Sequence, residues 1–96
     1  MIKVRNLKNK NGNVVVNQFN IIQDNVVTFQ SYDSVIASYD FDTKKLTVDP
    51  HYYDHSTTTG KYLNVWLESI GSDLAYKPLA KKRKYFEDNN CFKELN

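Results

Sequence analysis

Residues Asp49–Leu67, DPHYYDHSTTTGKYLNVWL, mark where a chain built of strands becomes one built of helices. Pro50 has no backbone N–H and closes an extended run. Ser56, Thr57, Thr58 and Thr59 then offer hydroxyls to the free N–H groups of a first helical turn. Behind them Leu63, Trp66, Leu67 and Ile70 recur at i, i+3, i+4 and i+7, the spacing of one buried helical face. The pattern predicts a helix from about Thr57 to Ile70, ended by Gly71.

Upstream of this joint the periodicity is two. Lys8–Asn13, KNKNGN, is a turn-rich break, and Val14–Gln23 reads as a strand. Unbroken alternation puts Val15, Asn17, Phe19 and Ile21 on one face and Val14, Val16, Gln18, Asn20 and Ile22 on the other. Asp24-Asn25 makes a two-residue turn into a return strand, Val26–Tyr32, with Ile22 opposite Val27 and Asn20 opposite Phe29. Asp33-Ser34 is a bulge or corner, Val35–Tyr39 a third strand, Asp40–Lys44 its turn, and Lys45–Asp49 a fourth strand. The expected fold is therefore α+β: a four-stranded antiparallel β-meander with the helix packed on one face, against Phe19 or Phe29.

Downstream, Asp73–Ala75 reads as a turn, and Pro78 suits the first position of a second, short basic helix. Leu79, Arg83 and Phe86 share one face of it, with Lys81, Lys82 and Lys84 around the rest. Asn89-Asn90 terminates it, and Cys91–Asn96 is a frayed or docking tail. Residues 1–96 form a single domain, with 13–70 as its core and 72–96 as a basic C-terminal extension.

Composition agrees with an ordinary globular domain: 96 residues, 41% hydrophobic and 25% charged. The single cysteine, Cys91, leaves no internal disulfide, so a reducing cytosol is the expected compartment. No apolar run approaches the roughly 20 residues of a membrane span. The formal net charge of +2 hides a segregation. Residues 1–12 carry bases alone, 13–71 are mainly acidic, and 72–96 are basic again. Such a split can orient a partner, but it is not the overall surplus of a dedicated nucleic-acid binder.

Candidate chemistry is sparse. His51 and His55 are four apart, with Asp49 and Asp54 nearby, but Pro50 makes the segment extended or irregular and no third and fourth ligand are evident. Cys91 is remote from both histidines, and the three glycines form no phosphate loop. The reading is non-enzymatic: no catalytic residues, no metal and no cofactor. Two surface signals remain. Lys77, Lys81, Lys82, Arg83, Lys84 and Tyr85 form a basic face with an aromatic, fit for phosphates or an acidic protein groove, the plainer alternative being a solvated face. Tyr52, Tyr53 and Tyr62 are either interface anchors or core aromatics; Trp66 belongs to the core.

Three segments carry a resemblance: Asn17-Gln18-Phe19, Phe29–Ala37 (FQSYDSVIA) and Tyr52–Leu67 (YYDHSTTTGKYLNVWL). Together they resemble a small uncharacterised domain that recurs in bacterial phages and plasmids. The likeness covers roughly residues 13–70 and leaves the basic C-terminal stretch outside. It implies a mobile-element origin, and anti-CRISPR proteins are similar in size, compartment and lack of catalytic motifs. What it implies is a non-enzymatic phage-encoded inhibitor of a bacterial defence system, binding a Cas effector, with or without its guide RNA. The alternative is a nucleic-acid-binding accessory protein of a phage or plasmid, and a third reading is a virion assembly factor. Because the chain is not acidic overall, steric binding through the basic helix is favoured over mimicry of DNA.

Overall fold

Five strands pair antiparallel in chain order: β1 (Ile2–Lys8), β2 (Val14–Gln23), β3 (Val26–Ser31), β4 (Ser34–Asp40) and β5 (Lys45–Val48). They belong to a computed structural model that describes residues 1–96. The expected four-stranded meander is therefore corrected to five strands, with β1 added at the edge. Only Leu7 of β1 is buried, and Lys3 and Arg5 alternate with Ile2 and Val4, so no buried apolar face announces this strand. Cationic side chains on an edge strand also discourage pairing with another chain.

The β2–β3 hairpin has the expected register, with Ile22 opposite Val27 and Asn20 opposite Phe29 across a two-residue loop. Asp24 takes φ 54 in that loop, a left-handed conformation that Asp tolerates better than most residues. The β3–β4 turn falls at Tyr32-Asp33, with Tyr32 at φ 50, one residue earlier than the Asp33-Ser34 corner.

Continuous alternation along β2 is also corrected. Asn17 sits at φ 63 where the β1–β2 register shifts between Asn6 and Lys8. A bulge of this kind switches the face of every later residue. Val15 packs on the core before it, while Gln18, Asn20 and Ile22 take the inward positions after it. Phe19 and Ile21 consequently point to the opposite face, so Phe29 rather than Phe19 meets the helix.

Helix α1 (Thr57–Ser69) starts as its hydroxyl cluster predicts: Ser56 is the N-cap, and its Oγ accepts the Thr59 N–H at 3.1 Å. Leu63, Trp66 and Leu67 are buried against Phe29, Ile36, Ala37 and Val48 of the sheet. Trp66 stacks on Phe29 with ring centroids 6.3 Å apart and donates its Nε1–H to Asn20 Oδ1 at 3.0 Å. Gly71, at φ 78, ends the helix in the left-handed conformation that glycine adopts without strain.

A 3-10 turn, Asp73–Tyr76, leads into α2 (Leu79–Asp88). Its inward face is Lys82 with Phe86, not Leu79, Arg83 and Phe86: Leu79 is 45% exposed and Phe86 fully enclosed. The chain then returns along β5, where Val48 N–H donates to Cys91 C=O and Lys93 N–H to Val48 C=O, a parallel bridge at Phe92. Leu74, Ala75, Phe86 and Cys91 at one end and Leu7 at the other all belong to the core. The boundary drawn at 13–70 is thus too narrow, because residues 72–96 close the core instead of extending from it. No helix is long and apolar enough to cross a membrane.

Candidate functional site

Pro78 fixes the entry to α2 at φ −60, and the helix then divides its basic residues between solvent and interior. Lys77, Lys81 and Lys84 are exposed, and Tyr85 is 43% exposed. Lys84 Nζ lies 3.2 Å from Asp88 Oδ2, an exposed i,i+4 pair worth about 0.3–0.5 kcal/mol. Lys77 and Lys81 make no ion pair.

Two of the expected surface cations are bonded within the chain. Lys82 is buried, and its Nζ donates to the Lys77 carbonyl. Burial holds its ammonium below the usual lysine range. Its stem follows Phe86 into the core, since i and i+4 share a helical face. The Arg83 guanidinium is tied to the segment before α1: Nε donates to Tyr53 Oη at 2.8 Å, and an Nη group to Asp54 Oδ2 at 3.1 Å. Lys82 is not a surface cation, which corrects its place in the expected contact set, while Arg83 stays about half exposed with its guanidinium paired.

Tyr53 is likewise corrected. It is 3% exposed, edge-on to Phe86 at 5.7 Å and close to Phe92 at 5.3 Å, so it is core and not an interface anchor. Tyr62 is also buried, whereas Tyr52 is half-buried beside the His55 ring at 5.8 Å.

The two histidines are not brought together. His51 Nε2 meets Glu94 Oε1 at 3.1 Å, while His55 faces Tyr52, and no group of three His, Cys, Asp or Glu side chains converges. Asp49 plays a structural part. Its Oδ1 accepts the N–H groups of His51 and Tyr52, and its Oδ2 accepts the Leu95 N–H and the Asn96 side-chain amide. Burial alone would push this carboxyl up, but those donors outweigh it and hold the group below the usual carboxylate value. Asn96 also exchanges hydrogen bonds with the Val35 backbone, so the tail is docked. Burial pushes the Cys91 thiol up, with Lys45 offsetting this in part, the opposite of an activated nucleophile.

Topology assembles a surface that sequence spacing conceals. Tyr85 and Asn89 of α2 share a cleft of about 470 Å³ with Tyr39, Lys44 and Lys45 from the β4–β5 hairpin. Lys44 is held at φ 58, where Gly or Asn would be less strained. Tyr76, 74% exposed, and Leu79 add apolar surface at the start of α2. The sequence carries no signal for this juxtaposition beyond the turn at Asp40–Lys44, because it depends on how α2 lies across the end of β5.

No curated protein and no solved structure matches the chain. The profile of a family of unknown function, DUF8033, matches residues 2–90, spanning β1 to the end of α2. That range takes in both the edge strand and the basic helix. The chain belongs to the DUF8033 family of unknown function.

Proposed function

We propose that the protein is a non-enzymatic binding protein that engages a macromolecular target through the exposed basic and aromatic face of α2. One observation carries this reading: Lys77, Lys81, Tyr76, Leu79 and Tyr85 remain accessible after the buried Lys82 and the paired Arg83 are set apart. The accessible tyrosines are of the type that anchors binding hot spots, and the unpaired lysines beside them add positive charge that can steer an anionic target. Lys44 and Lys45 across the cleft enlarge the same electropositive surface.

For the target, our proposal is a bacterial defence effector in the host cytoplasm, with a phage-encoded anti-CRISPR protein acting on a Cas complex as the leading case. The step from binding to defence rests on the resemblance alone. The competing reading is an accessory protein that grips nucleic acid directly with the same lysines.

The deciding experiment is capture of purified Cas effector–guide complexes with the wild-type protein, with and without nuclease, beside a salt series on free DNA and RNA. The expected result is a nuclease-resistant complex that lowers effector cleavage, weakened at least tenfold by Lys77→Glu, Lys81→Glu and Lys84→Glu together. Tight binding to bare nucleic acid that falls steeply with salt, with no effector captured, would replace this reading with the accessory-protein one.

A further inference from the structure

The cation at Lys82 is not neutralised by anything within the chain. The side chain is 5% exposed, and no carboxylate lies within ion-pair distance. Of its three ammonium donors, one reaches the Lys77 carbonyl. Burial disfavours the charged form of an amine, so an ammonium held here without a counter-ion is poorly compensated. Lys82 also lines a cleft of about 410 Å³ between the start of α1 and the start of α2, shared with Tyr53, Asp54, Thr57, Asn64 and Lys77. Asp54 in that wall is already bonded to Arg83 and does not serve Lys82. A second polar group in the same wall is also unsatisfied: Asn64 Oδ1 is enclosed and receives no hydrogen bond.

We propose that this cleft is a binding site for a carboxylate-bearing ligand, with Lys82 as the counter-ion of the carboxylate and Asn64 Oδ1 accepting a donor of the same ligand. Charge matching selects the carboxylate. One enclosed ammonium balances one negative charge, whereas a phosphate dianion would carry a second, uncompensated charge into the cleft. The first-turn backbone of α1 at Thr57 favours the same sign, while Lys77 stands exposed at the rim, where solvent and salt screen its charge. The depressed titration of Lys82, caused by burial, agrees with a cation lacking an anion. This inference goes beyond the docking face and does not rest on it, because the site takes its ligand whatever macromolecule α2 meets.

The test is an NMR titration of the uniformly 15N- and 13C-labelled wild-type protein with sodium acetate, sodium phosphate and sodium chloride at constant ionic strength. Acetate, which has no donor for Asn64 Oδ1 and so probes the Lys82 contact alone, is expected to give saturable shifts at the Lys82 side chain and Thr57, at least fivefold tighter than phosphate. It should also raise the pH at which Lys82 titrates, since an anion that binds the charged form favours it. Lys82→Met should abolish the saturable response while the rest of the spectrum stays native. Shifts that are linear and equal in acetate and chloride, tighter binding of phosphate, or saturation that survives in Lys82→Met would each overturn the proposal. Should Lys82→Met not fold, the wild-type titration decides by itself: saturation at the Lys82 resonance supports the site, and its absence sinks it.

Discussion

The two faces of the sheet come from the same strands and carry comparable numbers of apolar residues, yet they play opposite parts. On the covered face Phe29, Ile36, Ala37 and Val48 lie beneath Leu63, Trp66 and Leu67, all at most 1% exposed. On the other face Val4 stands opposite Ile21, and Phe19 opposite Gln30, with no element over them. There Ile2, Val4, Val14 and Val16 are each more than half exposed. The open face is apolar at the β1–β2 end and turns polar through Thr28, Ser38 and Thr47 toward β5. Apolar identity therefore does not assign a residue to the core here. What decides is parity relative to the bulges, and which side α1 covers.

Truncation on the covered face tests this most severely. Leu67→Ala should destabilise the protein by about 2–5 kcal/mol, because lost transfer energy is joined by a cavity that the packed sheet cannot close. Urea unfolding measures this directly. A cost under about 1 kcal/mol would mean that α1 is not seated on Phe29 and Val48 as described.

Much of the covered face was legible in the sequence. The Ser56–Thr59 hydroxyls, the Leu63-Trp66-Leu67 stripe and the Asp24-Asn25 turn each act locally, so each could be read without knowing the rest of the fold. The features that escaped depend on distant parts. β1 hides because its apolar pair, Ile2 and Val4, faces the open side while Lys3 and Arg5 share the parity of Leu7. The bulge at Asn17 hides because only pairing with β1 reveals it. In the candidate site, Lys77, Lys81, Lys84 and Tyr85 were read correctly as surface, since their spacing needs no tertiary information. Lys82 and Tyr53 were not, because the cluster that draws them inward joins the last turn of α2, the segment after it and the segment before α1 at the β5 edge.

The edge of the covered layer gives an intermediate effect. Asp49 accepts four hydrogen bonds, two from the His51 and Tyr52 backbone and two that hold Leu95 and Asn96 at the end of β5. Hydrogen bonds to a charged acceptor contribute about 1.5–3 kcal/mol, so Asp49→Asn should cost roughly that amount at neutral pH. The sign with acid follows from the depressed titration. A carboxyl held below 3.8 when folded contributes stability that is complete above that value, and it is lost as the pH falls through the lower, folded value. Thermal unfolding of the wild type should therefore drop more steeply than that of Asp49→Asn below about pH 4. Parallel acid limbs for the two proteins would show that this carboxylate does not pin the tail.

The smallest change in stability belongs to the open face, and there it is the informative result. Val16 is 73% exposed next to the bulge, so Val16→Thr removes almost no buried surface and keeps a β-branched side chain suited to a strand. Unfolding free energy should stay within about 0.5 kcal/mol of wild type, against the several kcal/mol expected for Leu67→Ala. Val4→Thr and Ile2→Thr should behave alike, and the triple variant should retain its fold while losing retention on a hydrophobic-interaction column. That pairing of an unchanged fold with a changed surface is what an accessible apolar face requires. A loss of more than about 2 kcal/mol from the triple variant would place these residues under cover in solution, by a second copy or by a rearranged chain, and the contrast between the two faces would fail.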